Sequence, residues 1–393
     1  MQTFWGRTGH YGIATLATEF MADGILRDFF AKNLDRISYP LNEIADPGFD
    51  QRVEDAGEAG EFIPLADVPD EIWKKRSKAD NPQYGRIGGR ATCGGEYSSG
   101  PENPNHYADI DIAPPGEDIN WRDQCLANPD LISPDIWDKQ FYDRLPHNVG
   151  PKNRGLSPFR VWQLFDAMAD CLRKDDVDGF LVAAGVCALY IGDSCQPMHG
   201  SVLSNGDPSR KVQRIVEGKP TQVDYGAGSH EWYESHMVAA NVDALIAGVK
   251  AAATPAGHGL NRCATGKDAA RATLQLMYNV AHILPPVDIV NSFQQALSNY
   301  DEQVDAAVAE ADEAARATIT SAMWQQLGDR TVEVMIEGAR ALAMIWESGW
   351  ARAGHPQLAA KALDKEALTA RYVDPRFLPS KEIHEIGPLL RYE

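Results

Sequence analysis

Phe180-Leu-Val-Ala-Ala-Gly-Val-Cys-Ala-Leu-Tyr-Ile-Gly-Asp-Ser-Cys-Gln-Pro-Met-His199 is the stretch on which the reading of the fold turns. Phe180, Leu181, Ala184, Ala188 and Ile191 recur at three- and four-residue spacing, the stripe of a helix that packs against a core. Asp193 closes this helix, and Gln196, standing before Pro197, is pushed to extended backbone, so the chain turns and returns His199 towards the carboxylate. That is half of a metal cup. The other half is His230-Glu-Trp-Tyr-Glu234, in which His230 and Glu234 share one helix face and can grip one ion together. Taken alone, that pair is more simply a solvated surface pair. It is also not the HExxH signature, because the fifth residue is Glu234 rather than histidine.

Working outward, the texture is helical almost everywhere. Ile13, Leu16, Ala17, Phe20, Met21, Ile25, Phe29 and Phe30 predict an amphipathic helix over 11–36, beginning just after His10. Between about Ser38 and Pro158, Gly, Pro, Asp and Asn become frequent, and 81–105 has no apolar period. That region reads as long loops, with 81–105 as a candidate lid over the metal cleft. Helical spacing returns at Phe159 and runs to Gly192 with a break at 174–178. A further helix is predicted from Ser229 to about Lys250, another from Thr273 until Pro285 and Pro286 stop it, and two or three long ones over 289–353. Strand signals are almost absent. Residues 355–393, with Pro356, Pro375, Pro379 and Pro388, read as an extended tail on the surface. The expectation is a mostly α multi-helix bundle over 1–354, with long loop insertions around a metal cleft, followed by that tail.

Composition bounds the function. The chain has 393 residues, 44% hydrophobic and 24% charged, which excludes disordered and collagen-like classes. Fifty-six acidic against 37 basic residues give a net charge of −19, which repels duplex DNA and anionic lipid headgroups. A phosphate-bearing substrate then needs local positive charge, which a divalent ion can supply. The first 20 residues lack a basic stretch followed by an apolar run, and the longest uncharged run, 272–287, is shorter than the ~20 residues that span a bilayer. A cytoplasmic protein with no transmembrane segment is expected. Six cysteines without a CxxC pair suggest buried thiols, and the Gly-rich stretch Gly85–Gly95 lacks the pattern of a nucleotide cradle.

Two more pieces join the cluster: Trp5-Gly-Arg-Thr-Gly-His10 and Asn103-Pro-Asn-His106-Tyr-Ala-Asp-Ile-Asp111. Singly, His10 or His106 is better accounted for as a hydrogen-bonded structural histidine. In order with Pro69-Asp-Glu-Ile72, Pro158-Phe-Arg-Val-Trp-Gln-Leu164, Tyr190-Ile-Gly-Asp193, Gln196-Pro-Met-His199, Gly228-Ser-His-Glu-Trp-Tyr-Glu234 and Ile345-Trp346, the chain resembles the zinc-dependent phospholipase C and single-strand nuclease superfamily over about Trp5 to Gly354.

The resemblance implies a mostly helical fold around three zinc ions, of which one to three are expected in this chain, and a metal-bound hydroxide that attacks phosphorus. It implies one position at Asp70, His106 and Asp193, a second at His199, His230 and Glu234, and a third at His10 with Asp193. Asp193 would bridge metals or act as the base, and Asp67 or Asp80 could serve instead of Asp70. Two departures stand out. Leu189 occupies the place of a ligand histidine, and Met1-Gln-Thr-Phe4 leaves the Trp5 amine in a peptide bond.

The expected function is hydrolysis of phosphate esters, diester or monoester, on a small phosphate-bearing substrate, with single-stranded nucleic acid or lipid also open. The alternatives are a degenerate member that binds a ligand or protein partner, one structural zinc, and a metalloenzyme repurposed for another reaction. Trp73, Tyr84, Tyr97, Trp232 and Tyr233 could stack bases, and Lys74, Lys75 and Arg76 could meet phosphate. Core packing and a solvated face are the simpler accounts.

Overall fold

A computed structural model describes residues 6–22, 24–46, 48–74, 101–146, 149–216, 218–252 and 257–392. Its frame is built on α1 (Gly6–Phe20), α2 (Ser157–Arg173), α3 (Val177–Cys195), α4 (Val242–Ala252), α5 (Gly266–Ile283), α6 (Pro286–Tyr300), α7 (Glu313–Arg352) and α8 (Lys365–Val373). The mostly helical class expected from the periodicity is what the chain forms. The helix that contains 180–195 is central: α1, α2, α5, α7 and α8 all pack on α3, and every residue from Gly179 to Cys195 is buried. A helix enclosed on all sides must be apolar all round, which is why α3 is also long and apolar enough to cross a membrane by length and composition. The Trp346 indole of α7 donates to the Ala184 carbonyl at 2.8 Å and stacks on Phe30 with ring centroids 4.3 Å apart. At Gly338 of α7, a Cβ would fall 2.5 Å from Cys195 Sγ, so the absence of a side chain sets how closely α7 approaches α3.

Several sequence expectations need correction. Residues 11–36 are not one helix: α1 starts at Gly6 and ends at Phe20, and Gly24–Lys32 and Leu34–Ile37 follow as separate pieces. The early start is a tertiary effect, because Arg7 pairs with Glu71 at 3.0 Å and Thr8 with Asp50 at 3.4 Å, contacts that carry no apolar period. α5 begins at Gly266, two turns before Thr273, on a capping box between Thr265 and Asp268. The 38–158 region contains short helices such as Phe49–Glu58 and Trp121–Ala127 as well as loops. The lid expectation falls largely outside the described residues. Its described end includes one 3-10 turn, Asn103–Asn105.

The hairpin of β1 (Asp207–Val216) and β2 (Lys219–Tyr225) was not foreseen. Its strands are mostly polar and exposed, so no hydrophobic alternation marks them, and Gly218 at φ +76° serves the tight turn.

The C-terminal segment is not an extended surface tail. α8 buries Leu368 and Tyr372, and Ile383 and Ile386 are buried further on. Trp73 Nε1 donates to the Tyr372 carbonyl at 2.7 Å, and the fully buried Arg160 guanidinium donates to the Leu378 and Pro379 carbonyls. The prolines interrupt helix without preventing burial.

Candidate metal centre

Three segments meet at the end of α3. Asp193 lies in its last turn, and Gln196 is extended with its side chain accepting from Met198 N, which turns the chain into the short 3-10 segment Pro197–Gly200 that carries His199. His230 and Glu234 lie on a helical stretch from Ser229 to Ala240 whose middle, Trp232–Met237, is wound as a π-helix. Such insertions often mark functional positions.

His199 Nε2 is 3.3 Å and His230 Nε2 is 3.0 Å from Glu234 Oε2, and one donor atom from each residue lies within 4.8 Å of the others. Metal–ligand bonds of about 2.0–2.1 Å put tetrahedral ligands roughly 3.3–3.4 Å apart, so this spacing suits a common ion. The hydrogen bonds behind the rings sharpen the fit. His199 Nδ1 faces the His106 carbonyl at 2.9 Å and His230 Nδ1 faces the Ser204 carbonyl at 2.6 Å. Each Nδ1 therefore carries a hydrogen, and each neutral ring turns its Nε2 lone pair towards the carboxylate. Two lone pairs and a carboxylate oxygen cannot converge without a positive charge among them.

In the metal-free protein, protons answer that need. Burial alone would raise Glu234, but His230 and His199 hold it well below the usual carboxylate range. Burial alone would lower His230, and Glu234 overrides it upwards. Gln196 Nε2 donates to Glu234 Oε2 at 2.9 Å and fixes its orientation. His199 and Glu234 are buried, whereas the His230 side chain is 20% exposed, so the site has one open side. Asp109 is coupled electrostatically to His230; burial and Asp111 push its carboxyl well above its ordinary range, and its Oδ1 is buried without a hydrogen-bond partner.

The other expected ligands gather around Asp193. His10 Nε2 is 3.2 Å from Asp193 Oδ1, and His106 Nδ1 is 2.8 Å from Asp193 Oδ2. The His10 ring approaches because Gly192 has no side chain; a Cβ there would lie 3.0 Å from His10 Cδ2. Asp70 Oδ1 is 3.6 Å from His106 Nδ1, and Asp67 Oδ1 is 3.5 Å from His10 Nδ1. Both Asp67 and Asp70 therefore take part, and His10, Asp67 and Asp70 form a second group with donor atoms within 4.8 Å of one another. Asp80 lies outside the described residues, as does Trp5.

Charge here is strongly coupled. Burial would raise Asp193, but His199, His10 and His106 hold it far below the usual range. Burial would depress His10, but Asp193 and Asp67 raise it to about 10. Burial raises Asp67.

Sequence reasoning missed Asp67 as a full participant, Asp109, Glu102 and the role of Lys74. Glu102 Oε1 sits 3.1 Å from His106 Nε2, and the same carboxylate bonds the Tyr190 and Ser380 hydroxyls. Lys74, expected on a solvated face, is 12% exposed and pairs with Asp70 at 3.1 Å. Lys75 and Arg76 lie outside the described residues. Of the candidate stacking aromatics, Trp73, Trp232 and Tyr233 are core residues, in keeping with core packing, and Tyr84 and Tyr97 fall outside the described residues. Leu189, the departure from the family pattern, is fully buried. A further group, Glu231, His236 and Glu310, lies partly exposed, with Glu231 pushed up to about 7 by burial and Glu310.

No family model matches the chain, and no solved structure matches it. The chain is 40% identical, over an alignment of 404 positions covering 98% of its length, to a probable serine protease of Bradyrhizobium tropiciagri. The chain spans about half the length of this curated relative, 49%. That name points to a protease and corrects the expectation of a phosphate-ester hydrolase, together with its phosphodiesterase, phospholipase-like and nuclease-like descriptions. The ordered motifs on which the expectation rested specify ligand types at set spacings. They do not specify the bond that is cut.

Proposed function

We propose that this chain is a metal-dependent hydrolase of peptide bonds, with its ion held by His199, His230 and Glu234. The observation that carries the reading is the convergence of two imidazole Nε2 atoms and one carboxylate oxygen, with both Nδ1–H groups already committed to backbone carbonyls. Two histidines and a glutamate with an open fourth position form a ligand set used by zinc peptidases. The relative's name supports the substrate class, and the partial exposure of His230 supports access from solvent. We further infer that the helical frame is of the zinc-dependent phospholipase C and nuclease type, with zinc as the expected ion.

An ion bound there supplies Lewis acidity and lowers the pKa of water towards 7. The protein's own groups do the rest. Gln196 holds Glu234 in place, the His106 and Ser204 carbonyls hold the two rings, and we assign to Asp109, whose burial favours the protonated carboxyl, the donation of a proton to the leaving amine.

The test is hydrolysis of a quenched fluorescent peptide library by purified protein with and without chelation. Loss on chelation, recovery with zinc, abolition by His230→Ala and indifference to a fluorophosphonate are the expected results. A fluorophosphonate that labels a serine and stops hydrolysis, with no effect of chelation, would replace the metal reading by a serine nucleophile. Absence of peptide hydrolysis by the zinc-loaded protein would remove the peptidase reading altogether.

A further inference from the structure

The two halves of the centre differ in what balances their carboxylates. Around Glu234 the charges that face the carboxylate are those of His230 and His199. Around Asp193, Asp70 and Asp67 the protein brings in permanent cations. Lys74 Nζ is 3.1 Å from Asp70 Oδ1, Arg7 Nε is 3.8 Å from Asp67 Oδ2, and Arg160 Nη2 is 3.8 Å from Glu102 Oε2.

Lys74 is the one that bears on the subsite of Asp70, His106 and Asp193. It follows the π-helical turn Pro69–Trp73, which is closed by its own N–H to the Pro69 carbonyl at 2.9 Å, and its side chain folds back onto Asp70 with 12% exposure. Lys74 Nζ and His106 Nδ1 both approach Asp70 Oδ1, at 3.1 and 3.6 Å, and the Lys74 charge acts against protonation of His106. From α3 comes Leu189, one turn before Asp193 on the same face and fully buried, an aliphatic side chain with no electron pair to offer.

Among the described residues, a metal ion at this subsite would lie beside an ammonium and meet the aliphatic side chain of Leu189 rather than a further donor. The residues present do not fit it. We propose that Lys74 is the resident cation of the Asp70, His106 and Asp193 subsite, taking the place of a metal ion there, with Leu189 closing the position that a ligand would occupy. The Lys74 ammonium neutralises Asp70, and His106, held between Asp193 and Glu102, needs no metal to be oriented. The structural consequence is a division of labour: an exchangeable cation at His199, His230 and Glu234, and a covalently tethered one next to it. The inference rests on the preceding reading only in counting ions at the neighbouring site.

Metal content by elemental analysis, together with Co(II) absorption, measured after equilibration with excess metal and removal of the unbound ions, tests it on the full chain. Wild type, Lys74→Met, Lys74→Met with Leu189→His, and Lys74→Arg are compared, with Asp70→Asn introduced into the wild type and the double variant. The expected result is no ion in the wild type that Asp70→Asn removes, the same count in Lys74→Arg, and one additional equivalent in the double variant that Asp70→Asn abolishes. A wild-type ion lost in Asp70→Asn overturns the proposal, as does a folded double variant with no added equivalent.

If the double variant does not fold, Lys74→Met alone decides. Its melting temperature should fall below wild type while that of Lys74→Arg does not; a Lys74→Met protein as stable as wild type refutes the inference. Failure of the His199 site is read separately, as a wild type whose metal content His230→Ala does not change.

Discussion

The carbonyl oxygen of His106 accepts the Nδ1–H of His199 at 2.9 Å, and two residues on, the Ala108 N–H donates to the His199 carbonyl at 2.8 Å. The backbone of one half of the centre thus fixes the ring of the other half. Since the His106 side chain faces Asp193 while its carbonyl faces His199, a shift of this segment moves both sites together. The geometry converts a loop residue into an orienting group, which is the role a carbonyl behind a metal-ligating histidine usually plays.

Metal retention follows from which nitrogens are committed. His199→Ala and His230→Ala should each abolish tight binding at the open site, whereas His10→Ala should leave that binding intact. Titration with a chromophoric zinc chelator in competition checks this, and tight binding that survives both of the first two changes would move the site elsewhere.

Gln196 touches Glu234 rather than the ion position. Gln196→Ala should weaken zinc binding by about 10–100-fold, the usual effect of losing a group that orients a ligand, with little change in helix content. An affinity equal to wild type would mean that Glu234 is held adequately by its own helix.

Gly192 is set by the His10 ring. Gly192→Ala places a methyl 3.0 Å from His10 Cδ2, and because both groups are buried it should cost about 1–3 kcal/mol in urea unfolding. A variant as stable as wild type would show that α1 can slide without penalty.

Burial of the C-terminal segment is equally open to measurement. Leu368 is completely buried against the core, so Leu368→Ala should destabilise the protein by roughly 2–5 kcal/mol. A surface tail would give a change near zero.

The pH dependence of the metal-free protein has a definite sign. His10 is raised from 6.5 to about 10, so the stability it contributes is fully present below pH 6.5 and is lost as pH rises through 10. Asp193 is depressed below its ordinary 3.8, so its contribution is present above that value and is lost as pH falls further. Unfolding in the presence of chelator should therefore show a plateau between about pH 4 and 6.5 for this pair, and His10→Gln should flatten the alkaline limb. Identical alkaline limbs in the two proteins would show that His10 is neutral in the fold.

Much of this was legible in the chain because it is local. The stripe Phe180, Leu181, Ala184, Ala188 and Ile191 fixes a helix, the Gln196-Pro197 step fixes a turn, and the spacing of His230 and Glu234 puts two ligands on one face; each depends on neighbours a few residues away. The chemistry drawn from the resemblance was not legible in this way, since ligand spacing constrains an ion and says little about substrate. The hairpin escaped because its strands face solvent and carry no alternation, and the burial of 355–393 escaped because its prolines speak for backbone shape alone.

By itself the sequence determined a mostly helical chain with a central apolar helix that carries Asp193 near its end and a pair of candidate ligands at His230 and Glu234, because periodicity acts through nearest turns. Only the tertiary structure decided that Asp67 joins Asp70, that Glu102 backs His106, that Asp109 is coupled to His230 and that Lys74 balances Asp70. Those groups come from separate segments, and what selects them is the cost of burying charge without a partner, which is set by the packed surroundings and leaves no period in the sequence.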